Sequence, residues 1–319
     1  MNRMLIIALL STIACGKKKP EMRDQENRAM PETIFQAVSL LSDSLFTPSY
    51  TTDQQARLDS NLNIANRDWQ NEPSEINTIW LGRRVAYSGR YRQAIDIFTE
   101  GLTQYPDSYK LLRHRGHRYI SIREFDKAIM DLEKAAEIMP KDRIEIEPDG
   151  IPNKMNTPLS STQFNIWYHL GLAYYLNGDF EQALKSYKEC LKVSVNDDLQ
   201  SATVDWLYMT YRRLGRQPEA KNALVGIHQN MAIIENDSYF KRLKMYKGDL
   251  PVDSVLAVSN NSSDMDLALA TQGYGVGNWY LYHGDTTKAL EVFEKVIAGK
   301  HWSAFGYIAA EADLARLSK

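Results

Sequence analysis

The chain has 319 residues, with 38 basic and 40 acidic side chains, a formal charge of −2, and 44% hydrophobic and 24% charged residues. That is the composition of an ordinary globular protein, neither disordered nor membrane-embedded, and the balanced charge argues against a nucleic-acid partner, for which a strongly basic domain is expected. With two cysteines, Cys15 and Cys190, a disulfide framework is excluded.

Residues 1–14, MNRMLIIALLSTIA, place Arg3 ahead of an apolar run. The run is too short for a bilayer, which needs roughly 20 apolar residues, and suits the core of a secretory signal. It ends Thr12-Ile13-Ala14-Cys15-Gly16, which resembles the lipobox of bacterial lipoproteins, with Thr12 where that family usually has Leu. The resemblance implies cleavage before Cys15, lipidation of its thiol and acylation of its amine. Several acyl chains, each methylene contributing about 0.8 kcal/mol when buried, would hold the protein on a membrane. Residues 15–31 are polar and charged, without an apolar period, and read as a flexible tether. The expected location is the bacterial cell envelope, lipid-anchored to the outer membrane on its periplasmic side. Surface-exported lipoproteins of one phylum carry acidic residues after the cysteine, whereas Lys17-Lys18-Lys19 is basic.

Residues 32–46 put Ile34, Val38, Leu41 and Leu45 at helical spacing, which predicts a helix stopped by Thr47-Pro48. A second helix is predicted from Asp53 to Trp69, with Leu58, Leu62, Ala65 and Trp69 in phase, so that the two form a capping pair. From Ile76 a period is measurable: Gly82, Ala94, Phe98 and Pro106 are echoed 34 residues later by Gly116, Ala128, Leu132 and Pro140. Small residues let two helices approach, large ones fill the gap, and proline ends the second helix. A third copy has Trp167, Leu170, Gly171, Tyr174, Ala183 and Tyr187; it lies 55 residues after the second, so about 21 residues have been inserted. The insert, 141–162, contains Pro148, Pro152 and Pro158 and the alternating Ile144-Glu145-Ile146-Glu147, which disfavours helix; long loops in compact arrays are often functional.

Weaker copies follow, with Leu207, Tyr211, Gly215, Ala220 and Leu224, then Tyr239, Leu243, Tyr246 and Gly248, then Gly277, Tyr280, Gly284, Ala289 and Phe293. Asn260 to Ser263 reads as a loop. Residues 302–317 predict a closing helix with Glu311, Asp313 and Arg316 toward solvent, as a repeat array requires at its end. The period and residue types resemble the tetratricopeptide repeat (TPR) family over residues 76–300. The resemblance implies an all-α protein, a right-handed α–α superhelix of about six helix pairs with capping helices spanning 32–319.

Little in the sequence is catalytic. His114 and His117 have a helical i, i+3 spacing, but Arg113, Arg115 and Arg118 crowd the same helix and would repel a divalent cation, and no acid or thiol nearby completes a zinc set. Cys190 falls where the repeat needs a small core residue, and there is no Gly-x-Ser-x-Gly elbow or phosphate-binding loop. The expectation is no enzyme, no cofactor and no metal. In the family the first helix of each pair lines the concave surface. Carried over by phase, the candidate partner-binding residues are Arg83, Tyr87, Arg113, His117, Tyr168, Tyr175, Arg212 and Tyr282, together with Ile79, Ile120, Leu172, Asp205, Met209, Tyr274 and Asn278. Aromatic residues with a few arginines are hot-spot composition. The sites that grip chaperone tails in some family members hold Ile79 and Arg83 here, so that clamp is not expected. The expected function is a membrane-anchored adaptor for envelope proteins or peptides, with a structural subunit of an outer-membrane transport or secretion complex as the alternative. Tyr168 and Tyr175, beside the insert, are the leading contact residues.

Overall fold

The structure, a computed structural model, describes residues 33–256 and 265–318. The signal sequence, the tether with Cys15 and the Asn260–Ser263 loop lie outside the described residues.

The chain enters through a hairpin, β1 (Phe35–Val38) and β2 (Ser44–Phe46), followed by α1 (Thr52–Asn71). The hairpin overturns the helix expected over 32–46. Ser39 Oγ accepts from the backbone N–H groups of Leu41 and Asp43, and Ser42 takes a positive φ of 74°. These local bonds compete with helix and close a turn. Ala37 and Leu45 face inward, whereas Ile34 and Val38 are exposed, so the helical spacing of Ile34, Val38, Leu41 and Leu45 is fortuitous.

Six helix pairs follow: α2 (Glu75–Tyr87) with α3 (Tyr91–Gln104), α4 (Tyr109–Ser121) with α5 (Phe125–Ile138), α6 (Thr162–Asn177) with α7 (Phe180–Lys192), α8 (Asp197–Arg213) with α9 (Gln217–Ala223), α10 (Asp237–Lys247) with α11 (Val252–Leu256), and α12 (Met265–Tyr282) with α13 (Thr286–Ile297); α14 (Phe305–Leu317) ends the chain. The first helices of the first four pairs start at a side-chain cap. Ser74, Ser108, Ser161 and Asn196 accept from the backbone N–H groups of Asn77, Leu111, Phe164 and Leu199, satisfying an otherwise unpaired donor.

Close approach within a pair rests on the glycine predicted for it. A Cβ on Gly82 would lie 2.3 Å from the Phe98 ring, and one on Gly116 would lie 2.8 Å from Leu132. The turn between the helices of a pair needs one left-handed residue. Glycine supplies it in five pairs, as at Gly89 (φ 73°), whereas the second pair uses Arg123 (φ 66°). First helices of neighbouring pairs pack on one another, α2 on α4, α4 on α6 and α6 on α8, so they form the inner layer of an all-α superhelix.

Two segments of the chain lie across that inner layer. One is α14, which packs on α12, α13 and α6. It does not present a polar outer face: Glu311 and Asp313 are buried, at 1% and 0% exposure, alongside Ile308, Ala309 and Ala310. The expectation of solvated acids is corrected by their partners. Glu311 pairs with Arg123 and accepts the Leu40 N–H of the hairpin. Asp313 takes both Arg213 (2.8 Å) and Arg316 (2.6 Å). The other segment is the 141–162 insert, which is extended rather than helical, with one antiparallel bridge, Ile146 to Ser161.

Candidate inner-face binding site

The insert crosses α4 and α2 with its acids turned toward them. Glu145 accepts from the Tyr109 hydroxyl (2.6 Å) and faces Lys110 (3.5 Å). Glu147 reaches Arg113 (3.0 Å), and the Gly150 carbonyl accepts from Arg84 Nη1 (2.9 Å). Ile144, Ile146, Ile151 and Met155 point away and are exposed. From the other side, Phe305 at the start of α14 packs on His117 and His169, ring centroids 5.3 and 5.6 Å apart.

A cavity of about 90 Å³ remains under the insert, lined by Arg83, Tyr87, Arg113, His117, Arg118 and Glu147 among others. It shares His117 and Arg118 with a second cavity of about 310 Å³, bounded by Tyr91, Tyr239, Ser303 and Phe305. Four of the candidate residues, Arg83, Tyr87, Arg113 and His117, therefore converge. Arg83 stacks on Trp80 at 4.4 Å and donates to the Tyr87 hydroxyl at 3.3 Å. Arg118, not singled out by phase, lies over the Tyr91 ring at 5.4 Å. Its signal in the sequence is the basic density of the α4 segment itself.

The other candidates are placed differently. Tyr168 is buried, with its hydroxyl 3.1 Å from that of Tyr239. Tyr175 is fully buried in a network under α14, 2.7 Å from the Tyr274 hydroxyl and 3.0 Å from Asn278 Nδ2, and burial pushes its phenol up to about 12. Both were expected on an open face; α14 and α10 cover them. Arg212 and Tyr282 stack on each other at 4.2 Å, and neither lines the two cavities. Ile79, Ile120, Leu172, Asp205, Met209, Tyr274 and Asn278, read as inner-surface residues, are also buried. Asp205 is held by Arg242, Nε to Oδ1 2.9 Å.

Three histidines meet beside the smaller cavity. His117 and His169 have ring centroids 4.2 Å apart, and His114 Nδ1 is 2.8 Å from Arg113 Nη1, so it accepts and the ring is neutral. Burial, reinforced by neighbouring arginines, pushes all three well below the ordinary histidine value. Among the described residues no group of three or more His, Cys, Asp or Glu side chains is arranged to hold a metal ion. Cys190 is fully buried, with its thiol pushed up to about 12 by burial, so it is not a thiolate at neutral pH.

The geometry defines a helical-repeat protein whose inner layer carries clustered arginine, histidine and tyrosine side chains. Residues 164–197, which form most of α6, all of α7 and the start of α8, match the sequence model of the tetratricopeptide repeat. Among curated proteins, small glutamine-rich tetratricopeptide repeat-containing protein 2 of Saccharomyces cerevisiae is 23% identical over 145 residues, 46% of this chain and 36% of that one. The chain thus spans about a third of the length of that relative. Similar solved structures include a tetratricopeptide repeat protein from Parabacteroides merdae ATCC 43184, 14% identical over 82% of this chain and 94% of that one, with a TM-score of 0.46. YrrB, described as a TPR protein with an unusual peptide-binding site, is 15% identical over 75% of this chain and 95% of that one, TM-score 0.41. MamA AMB-1 is 20% identical over 53% and 87%, TM-score 0.40.

Proposed function

We propose that the protein is a membrane-tethered adaptor that holds envelope proteins or peptides on the inner face of its repeats. The observation that carries this reading is the basic, aromatic trough through Arg83, Tyr87, His117 and Arg118, left open between the insert and α14. A surface of stacked tyrosines and arginines with incomplete charge pairing is what a partner's buried anchor residues require. The tether at Cys15 and the envelope location rest on the N-terminal sequence. They predict that Cys15→Ala moves the protein from the membrane to the soluble periplasmic fraction; unchanged fractionation refutes the anchor.

The adaptor role is tested by affinity purification from detergent-solubilised membranes, followed by mass spectrometry, with wild type and Arg83→Glu side by side. Arg83 makes no ion pair within 4 Å among the described residues and is half-buried, so reversing it breaks no salt bridge, and circular dichroism of the variant checks that the fold is kept. Partners present in substoichiometric amounts with wild type and missing with Arg83→Glu support the reading, and an unchanged profile overturns it. A single stoichiometric complex insensitive to Arg83→Glu would instead favour a structural subunit of an envelope machine.

A further inference from the structure

We infer that the cavity between Arg83, Arg113 and Arg118 is a binding subsite for an oxyanion, a carboxylate or a phosphate monoester. The proposal rests on the adaptor reading and names the chemistry its partner must present there.

The argument begins with charge. Three guanidiniums line this cavity against one carboxylate, Glu147. Glu147 reaches only Arg113. Asp149 feels Arg83 electrostatically but does not line the cavity. Arg118 has no hydrogen bond or ion pair among the described residues; it has the Tyr91 face alone. Burial, with smaller contributions from Arg113 and Arg83, pushes Arg118 down to about 10. An arginine stays charged under such pressure, so the cation is present and uncompensated.

A second observation is independent of the charge count. Arg113 is 7% exposed, and its Nε–H has no hydrogen-bond partner. Its other nitrogens are used, Nη2 by Glu147 and Nη1 by His114. A buried N–H without an acceptor carries a desolvation penalty that the surrounding polar groups do not relieve. An oxygen within the cavity would accept from it. Arginine is the residue best matched to planar or tetrahedral oxyanions, because its donors form a fixed fork.

The cavity's dimensions fit that ligand class. About 90 Å³ is room for a small oxyanion or a few waters, with a water's liquid share near 30 Å³, and too small for a ring system. It shares the lining residues His117 and Arg118 with the larger cavity beside Phe305, so a longer molecule lying in the larger one would bring its oxyanion next to these arginines. Glu147 is the chain's own carboxylate at this place: it neutralises one arginine and leaves the oxyanion position between the other two.

The test uses the detergent-solubilised full chain, titrated with inorganic phosphate and, separately, with sodium acetate. Each is compared with sodium chloride at matched ionic strength, reading the melting temperature and the heat of binding. The expected result is saturable stabilisation by one oxyanion or both. Arg118→Gln and Arg83→Gln should weaken it about tenfold, a loss of about 1.4 kcal/mol, whereas Arg67→Gln, an exposed arginine elsewhere, should leave it unchanged. Arg118→Gln removes a cation that pairs with no acid among the described residues, whereas Arg83→Gln withdraws the cation facing Asp149, so the melting temperature of each variant in chloride serves as the folding control. A response to phosphate alone assigns a phosphate monoester, and a response to acetate assigns a carboxylate. If neither exceeds chloride, or if Arg118→Gln responds as wild type, the subsite is overturned. Partner capture that persists beside a null titration would refute only the subsite, while oxyanion binding with an empty pull-down would refute only the adaptor.

Discussion

The two segments that cover the inner face are attached in opposite ways. α14 is joined to the repeats through buried carboxylates: Asp313 on Arg213 and Glu311 on Arg123, surrounded by alanines and Ile308 with no exposed surface. The insert is laid on from outside. Its acids pair with Lys110 and Arg113, but its apolar side chains point to solvent, Ile151 at 76% and Met155 at 66% exposure. The difference separates what the fold requires from what it merely carries. Closing the superhelix depends on α14, whereas the insert is free to vary or to yield to a partner.

If that contrast is right, the largest effect comes from removing one member of the α14 charge network. Asp313→Ala removes the fully buried carboxylate shared by the partly exposed Arg213 and Arg316, and breaking a buried pair costs at most about 3–5 kcal/mol, so a loss of about 3 kcal/mol is expected. Urea denaturation should show the loss, and limited proteolysis should cut near residues 299–304. A loss below about 1 kcal/mol, the range of exposed pairs, would place α14 in the same class as the insert.

Next in size is the response to pH at the histidines under the two segments. His114, His117 and His169 have folded pKa values below their unfolded value of about 6.5, chiefly through burial. The unfolded chain therefore binds more protons below that value. Their stabilising contribution is complete above pH 6.5 and falls with acidification, by about 1.4 kcal/mol per pH unit for each proton. Asp205 acts in the opposite sense: burial, against the pull of Arg242, raises it to about 6, so its folded form gains a proton over the same window and offsets about one histidine. Melting temperatures between pH 7.5 and 5 should fall with a net slope of about two protons. His169→Gln should flatten the slope by one.

How far these features could be read from the sequence differs along the chain. The repeats were legible because a contact of glycine with a large apolar or aromatic side chain recurs in four of the six pairs: Gly82 with Phe98, Gly116 with Leu132, Gly171 with Tyr187 and Gly277 with Phe293. The insert was legible as non-helical from its prolines. The hairpin was not, since Ile34, Val38, Leu41 and Leu45 fit a helical template while Ser39 sets the turn by accepting from the Leu41 and Asp43 N–H groups and Ser42 takes a positive φ. The burial of Glu311 and Asp313 was not either: charge in a terminal helix signals solvent, and their partners lie 188 and 100 residues away. One clue was available. Arg123 stands 34 residues after Gly89, where the repeat calls for a left-handed glycine. For the inner face, phase took Tyr175 as open to a partner, whereas it is fully buried, and nothing in the period says that another helix covers it.

Arg123 offers a finer test of the same attachment. Both Arg123→Ala and Arg123→Gly leave Glu311 unpaired in the interior. They differ only in the backbone, where φ 66° costs a non-glycine residue about 1 kcal/mol. The glycine variant should therefore be more stable than the alanine variant by about that amount, with both well below wild type. Equal stabilities would mean that the turn relaxes once the side chain is gone, and that the strain is imposed by the Glu311 contact itself.

The smallest effects belong to the insert. Ile151→Ser and Met155→Ser remove side chains that already face water, and substitutions of that kind stay within about 0.5 kcal/mol. Amide exchange should show the same asymmetry without mutation. The insert's backbone bonds between its two arms, from the Glu147 N–H to Ser160 and from the Thr162 N–H to Glu145, lie at the bridge near its ends, so the amides of 149–154 should exchange early, through local opening. Those of 308–314 in α14 should exchange only with global unfolding, because undocking α14 parts Asp313 from Arg213 and Glu311 from Arg123. Joint protection of the two segments would contradict this division: the insert would then be as much a part of the closed superhelix as α14, and a partner could reach the arginines beneath it only by unfolding the array.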